Sequence, residues 1–91
     1  MLRLFDLSLT ETSPKLFRQT LYTGKRFIYD FTEYVVVEDD GTDMIVAEIV
    51  DVEATNKTGS LQSTGVRESF SITALKNAFS KGESWRYRWV K

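Results

Sequence analysis

The 91-residue sequence contains no cysteine and no histidine. Without cysteine there is no disulfide framework and no thiolate nucleophile, and a reducing compartment is the natural expectation. Without histidine the commonest general base and metal ligand is missing, so nucleophilic and metal-assisted catalysis lose their usual participants. Proline occurs once, at Pro14. No apolar run approaches the roughly 18 residues of a membrane span, and Met1-Leu2-Arg3-Leu4-Phe5-Asp6 lacks the charged leader and apolar core of a secretion signal. These absences predict a cytoplasmic protein with no membrane contact, no cofactor, no metal and no enzymatic activity.

What is present describes a folded chain. Hydrophobic residues make up 42% and charged residues 27%, enough apolar mass for a core and too little charge density for disorder. A chain this short supports a single domain over residues 1–91. Its net charge of -1 conceals a strong asymmetry. Residues 26–54 hold nine carboxylates against Arg26 alone, a net of -8, while the remainder holds eleven cations against four carboxylates, a net of +7. The sequence thus predicts an acidic element on a basic body.

A hairpin accounts for the acidic element. Arg26 to Glu38 and Asp43 to Ala54 are rich in β-branched and aromatic residues, and Asp39-Asp40-Gly41-Thr42 between them is a turn signal. Pairing Val37 with Met44 would put Phe27, Tyr29, Phe31, Val35 and Val37 on one face with Met44, Val46, Val50, Val52 and Ala54. Elsewhere, Ser13-Pro14 at one end and Gly24 at the other punctuate a helix over 14–23. Alternating Phe5, Leu7 and Leu9 suggest a strand over 2–9. Residues 55–69 read as a polar loop, and Ser71 with Gly82 brackets a helix over 71–81. The final stretch, Trp85 to Lys91, alternates rings and cations as a strand would.

The resulting β-α-β-β-α-β order resembles the split-βαβ pattern of ferredoxin-like domains, an α+β fold with an antiparallel sheet. If 14–23 is instead a strand, the alternative is a curled antiparallel β-sheet or barrel with one helix at 71–81.

Three chemistries follow from these placements. The proposed register sets Glu33 opposite Glu48 on the apolar face, either as a coupled acid/base pair or beside a bulge that frees both carboxylates. The Asp39–Asp43 cluster lacks the ligand spacing of a calcium loop and reads as a solvated turn. Lys76, Lys81, Trp85, Arg86, Tyr87, Arg88 and Lys91 form a candidate nucleic-acid surface, although the same rings could fill the core. An RNA-recognition domain would carry basic and aromatic residues where Asp43 to Val50 is acidic and aliphatic.

The leading functional expectation is a non-enzymatic binding protein, a regulator or inhibitor of the type encoded by phages and mobile elements. Its protein partner would meet the acidic hairpin through Asp30, Glu38, Asp39, Asp40, Asp43, Asp51 and Glu53. Nucleic-acid binding by the C-terminal helix and strand, and self-association of an acidic edge with a basic one, are the alternatives.

Overall fold

A computed structural model of the chain describes residues 14–83 and 86–90. The strand expected at 2–9, the Ser13 cap, Trp85 and Lys91 lie outside the described residues. In chain order the elements are α1 (Pro14–Arg18), β1 (Arg26–Tyr29), β2 (Thr32–Asp39), β3 (Met44–Val50), α2 (Val52–Thr58), β4 (Ser63–Ser71), α3 (Ile72–Ser80) and β5 (Tyr87–Trp89). The five strands form one antiparallel sheet in the order β4-β3-β2-β1-β5. This is a small α+β domain. The order between Arg26 and Trp89 is a four-strand meander, β1 to β4, followed by β5, which returns to pair with β1, and the described residues do not reproduce the ferredoxin-like order.

Local chemistry explains where each element begins and ends. Helix α1 is a single turn, after which Gln19, Thr20 and Leu21 donate N–H bonds to the carbonyls three residues back. The Thr20 hydroxyl also bonds the Phe17 carbonyl at 2.6 Å, one of the local bonds by which such residues compete with a regular helix. Helix α3 is where Ser71 and Gly82 bracket it: the Ser71 hydroxyl accepts from the Ala74 N–H at 3.2 Å, and Gly82 follows with φ 72°.

Two features depart from the expected hairpin. First, the 26–38 run is not one strand but two, folded back at Asp30-Phe31, the two residues between the Tyr29–Thr32 pair. Both have positive φ, 51° and 69°. That is the signature of a two-residue primed hairpin turn, whose second position normally takes glycine. A bulky residue in this conformation costs roughly 1–2 kcal/mol, and nothing in the local sequence advertises it. Second, β3 stops at Val50. Asp51 accepts from the Ala54 N–H at 3.0 Å and Gly59 takes φ 76°, so a capped helix, α2, replaces the end of the expected strand and the start of the expected loop. From Ser63 on, that loop is β4.

The register also differs. Tyr34 pairs with Ile49, Val35 with Glu48 and Val36 with Ala47, two residues away from the expected match. A shift of two residues leaves each side chain on its own face; independently of it, the core lies on the face of β2 and β3 opposite to the one predicted, that of Tyr34, Val36, Ile45 and Ala47. The core consists of Phe27, Tyr34, Val36, Ile45, Ala47, Phe70 and Tyr87 from the sheet, under Phe17 and Leu21 from α1 and its continuation and Ile72, Leu75 and Ala78 from α3. Phe27, wholly buried, lies 5.5–5.7 Å from the rings of Tyr34, Phe70 and Tyr87. Burial of such side chains, at about 1.5–3 kcal/mol each, sets the face.

Glu33 and Glu48 are consequently not opposite each other. Both lie on the face opposite α1 and α3, and each has its own arginine: Arg26 Nη2 to Glu33 at 2.5 Å and Arg67 Nε to Glu48 at 2.8 Å. Hydrogen bonds from Ser63 and Arg67 hold the Glu48 carboxyl below its ordinary range. The acid/base pair does not form.

Candidate functional site

The seven carboxylates expected to form one recognition element occupy two ends of the sheet. Glu38, Asp39, Asp40 and Asp43 surround the β2–β3 turn, whereas Asp30, Asp51 and Glu53 lie at the opposite end, beyond the other termini of β2 and β3. β2 has eight residues, so the ends are about 25 Å apart at the rise of a strand.

At the β2–β3 turn, a bulge decides which way each carboxylate points. The register shifts between Val36 and Glu38, so that Glu38 pairs with Val46 and Asp39 with Ile45. An extra residue in one strand re-aims the side chains after it. Asp39 is thereby turned to the helix side, where it meets the Arg18 guanidinium. Asp39 also accepts from the Gly41 N–H at 2.9 Å, and the two contacts, the backbone one foremost, lower its pKa. Asp40 accepts from the Thr42 hydroxyl and N–H at 2.6 and 2.9 Å, which lowers its pKa as well.

Asp43 works across a longer distance in sequence. Its carboxylate accepts from the Ser71 hydroxyl at 2.5 Å and from the Thr73 hydroxyl and N–H at 2.8 and 3.1 Å. Its carbonyl accepts from the Ile72 N–H at 2.7 Å. These bonds fasten the start of β3 to the first turn of α3 and hold the Asp43 carboxyl low. The end of the sheet thus presents four exposed carboxylates around a turn fixed by its own hydrogen bonds, with Arg18 beside one of them.

At the opposite end the acidic residues serve mainly as fittings. Asp51 caps α2, Glu53 lies exposed in its first turn, and Asp30 sits 3.4 Å from Arg86 Nε in the strained turn. Neither Asp51 nor Glu53 is a strand residue, so the expected acidic row along a sheet face is absent.

The C-terminal cations and rings are likewise divided. β5 pairs with β1, with Tyr87 and Trp89 on the helix-facing side and Arg88 on the other. Tyr87 is buried among Phe17, Phe27 and Phe79, and burial raises its pKa. It has no face left for a base. Lys76 is half-buried on α3, Lys81 is exposed at the α3 terminus, and Arg86 faces Asp30.

One feature here had no counterpart in the sequence reading. A cleft of about 380 Å³ opens between the end of α3 and β5, lined by Lys25, Phe79, Glu83, Tyr87, Arg88 and Trp89 with their neighbours. Trp89 stacks on Phe79 at 5.2 Å and donates its indole N–H to the Tyr87 hydroxyl at 2.6 Å. The Lys25 ammonium lies 5.4 Å from the Trp89 ring. The only hint in the sequence was the spacing of Phe79 and Trp89 around Gly82.

Among the described residues no group of three or more acidic side chains is placed to hold a metal, and no helix is long and apolar enough to cross a membrane. Comparison with protein-family models, with curated proteins and with solved structures gives no match.

Proposed function

We propose that this protein is a non-enzymatic binding module that meets a protein partner through the acidic end of its sheet, with Glu38, Asp39, Asp40 and Asp43 as the contact. The observation that carries this reading is the fixed geometry of the turn. Hydrogen bonds from Gly41, Thr42, Ser71 and Thr73 hold three carboxylates in place, so little conformational entropy is lost when a basic surface docks. The low pKa values of Asp39, Asp40 and Asp43 keep that surface charged. Such a surface steers a cationic partner and favours fast association. A regulator or inhibitor acting by occupancy suits a short chain without histidine or cysteine.

The test is affinity capture from a native lysate with the wild type and with Glu38→Lys combined with Asp40→Lys, both at positions outside the α3 latch. Partners that bind the wild type, are released by moderate salt and are lost from the variant would support the reading. Identical partner sets from the two proteins would overturn it.

A further inference from the structure

The outer edge of β4 carries a row of backbone groups that no strand among the described residues meets. β4 is nine residues long and ends the sheet, pairing on one side with β3. From Ser63 to Ser69 every residue is exposed. The Ile72 N–H points inward, to the Asp43 carbonyl, and in an antiparallel ladder inward and outward residues alternate. Phe70 and Glu68 therefore bond β3, while Arg67, Ser69 and Ser71 turn their N–H groups away from it. Such a row is a template for another strand.

The charged side chains along this edge have partners within the chain and lean back from it. Arg67 pairs with Glu48 on β3, and Glu68 accepts from the Tyr34 hydroxyl at 2.7 Å, which draws it over the sheet. A bulge is one of the devices that blunt an edge, and here it lies earlier. The register of β4 breaks between the Ser63 and Arg67 pairs, where Gly65 has φ 83°. Arg67 to Ser71 are left regular.

We propose that the β4 strands of two copies pair antiparallel about a twofold axis at Ser69, joining two five-stranded sheets into one of ten. The two Ser69 residues exchange both N–H···O bonds, and the Ser71 N–H of each copy donates to the Arg67 carbonyl of the other. Side chains select this register. A centre at Arg67 or Glu68 would set like charges directly opposite each other, which is destabilising, and a centre beyond Ser69 runs into α3. Centred on Ser69, the axis carries two hydroxyls. Each Arg67 then lies opposite Ser71 of the second copy, beside the Asp43 carboxylate that bonds that hydroxyl. Arg67 keeps 57% of its side chain exposed, so its guanidinium can reach this carboxylate as well as Glu48. The two edges are thus complementary in charge as well as in hydrogen bonding. Pairing uses each β4 edge once and gives a closed dimer, the commonest symmetric assembly. This inference does not depend on the acidic-turn reading, since Glu38 and Asp40 take no part in it.

The experiment is analytical ultracentrifugation of the full chain from micromolar to millimolar concentration, joined to amide hydrogen exchange by NMR at both ends of that range. The wild type is expected to pass from monomer to dimer and stop there. Exchange at the Ser69 and Ser71 amides should slow as the dimer forms, while Glu68 and Phe70, which face β3, are protected throughout. Ser69→Pro removes a donor that faces solvent in the monomer, a place where an edge strand accepts proline. It is expected to weaken dimerisation by about tenfold or more. Ser69→Lys keeps the backbone donor and sets two ammonium groups on the axis, with the same expected direction, so the test does not rest on the folding of the proline variant. Circular dichroism verifies both folds. Glu38→Lys with Asp40→Lys should leave the mass unchanged, which separates this proposal from the previous one. A wild type that stays monomeric at millimolar concentration, a mass that grows past the dimer, a dimer whose Ser69 amide exchanges as fast as in the monomer, or one indifferent to Ser69→Lys would each overturn it.

Discussion

Truncating three consecutive residues of β3 to alanine, one at a time, tests which face of the sheet carries the core. Ile45 is wholly buried and pairs with Phe70 beneath α1 and α3, Val46 is half-buried on the opposite face, and Met44 is 38% exposed. Ile45→Ala removes three carbons from a packed core and leaves a cavity, for a loss of about 2–5 kcal/mol. At the entropy of unfolding typical of a domain this size, that is a fall in Tm of roughly 10–25 °C. Val46→Ala and Met44→Ala take away partly hydrated surface, and each should cost about 1 kcal/mol or less. Urea denaturation followed by circular dichroism reads all three, and equal slopes would show that the variants differ only in stability. The order Ile45 far above Val46 and Met44 is the expected result. If Val46→Ala or Met44→Ala cost as much as Ile45→Ala, the assignment of the Ile45 face as the core face would be refuted.

Ser71→Ala should lower stability by about 0.5–2 kcal/mol in the same assay, because it removes both the α3 cap and a donor to Asp43. Acid should weaken the fold in a defined window: Asp39, Asp40, Asp43 and Glu48 have folded-state pKa values below their unfolded ones, so the unfolded chain takes up protons first. Thermal melts between pH 7 and pH 2 should therefore hold steady down to about pH 5 and fall increasingly below pH 4, the ordinary range of these groups. A Tm flat across pH 4 to 2 would contradict that. At the other extreme, burial and the hydrogen bond to Glu68 push Tyr34 up to about 12. The unfolded tyrosine titrates near 10, so its contribution is intact below pH 10 and is lost as pH rises through 12. The difference in phenolate absorbance between the wild type and Tyr34→Phe isolates this one of four tyrosines, and a difference that titrates near 10 would count against the buried hydroxyl.

Much of the scaffold was legible because it depends on chemistry between near neighbours. Ser71 and Gly82 bracket α3 through bonds made within one helical turn, and Asp40-Gly41-Thr42 forms its turn from side chains two residues apart. The alternation from Arg86 to Trp89 correctly separates rings from guanidinium groups, since a strand must place successive side chains on opposite faces. The acidic site was half legible. Its residues were identifiable by charge, but the division into two ends depends on where β3 stops, and Asp51 and Gly59 signal a helix there only if their capping outweighs the β-branched run before them.

Composition and order of residues alone determined the lack of cysteine and histidine side chains, the -8 and +7 halves, and the α+β class of the domain. Tertiary structure decided which sheet face carries the main core, because both faces of the 34–50 region are apolar near the turn and the placement of α1 and α3 selects the face of Tyr34, Val36, Ile45 and Ala47. It also decided that Asp30-Phe31 turns the chain. No local preference selects a positive φ for phenylalanine. The turn forms because folding back there brings Phe27, Tyr34, Phe70 and Tyr87 into one cluster, and burying those rings outweighs the strain at its tip.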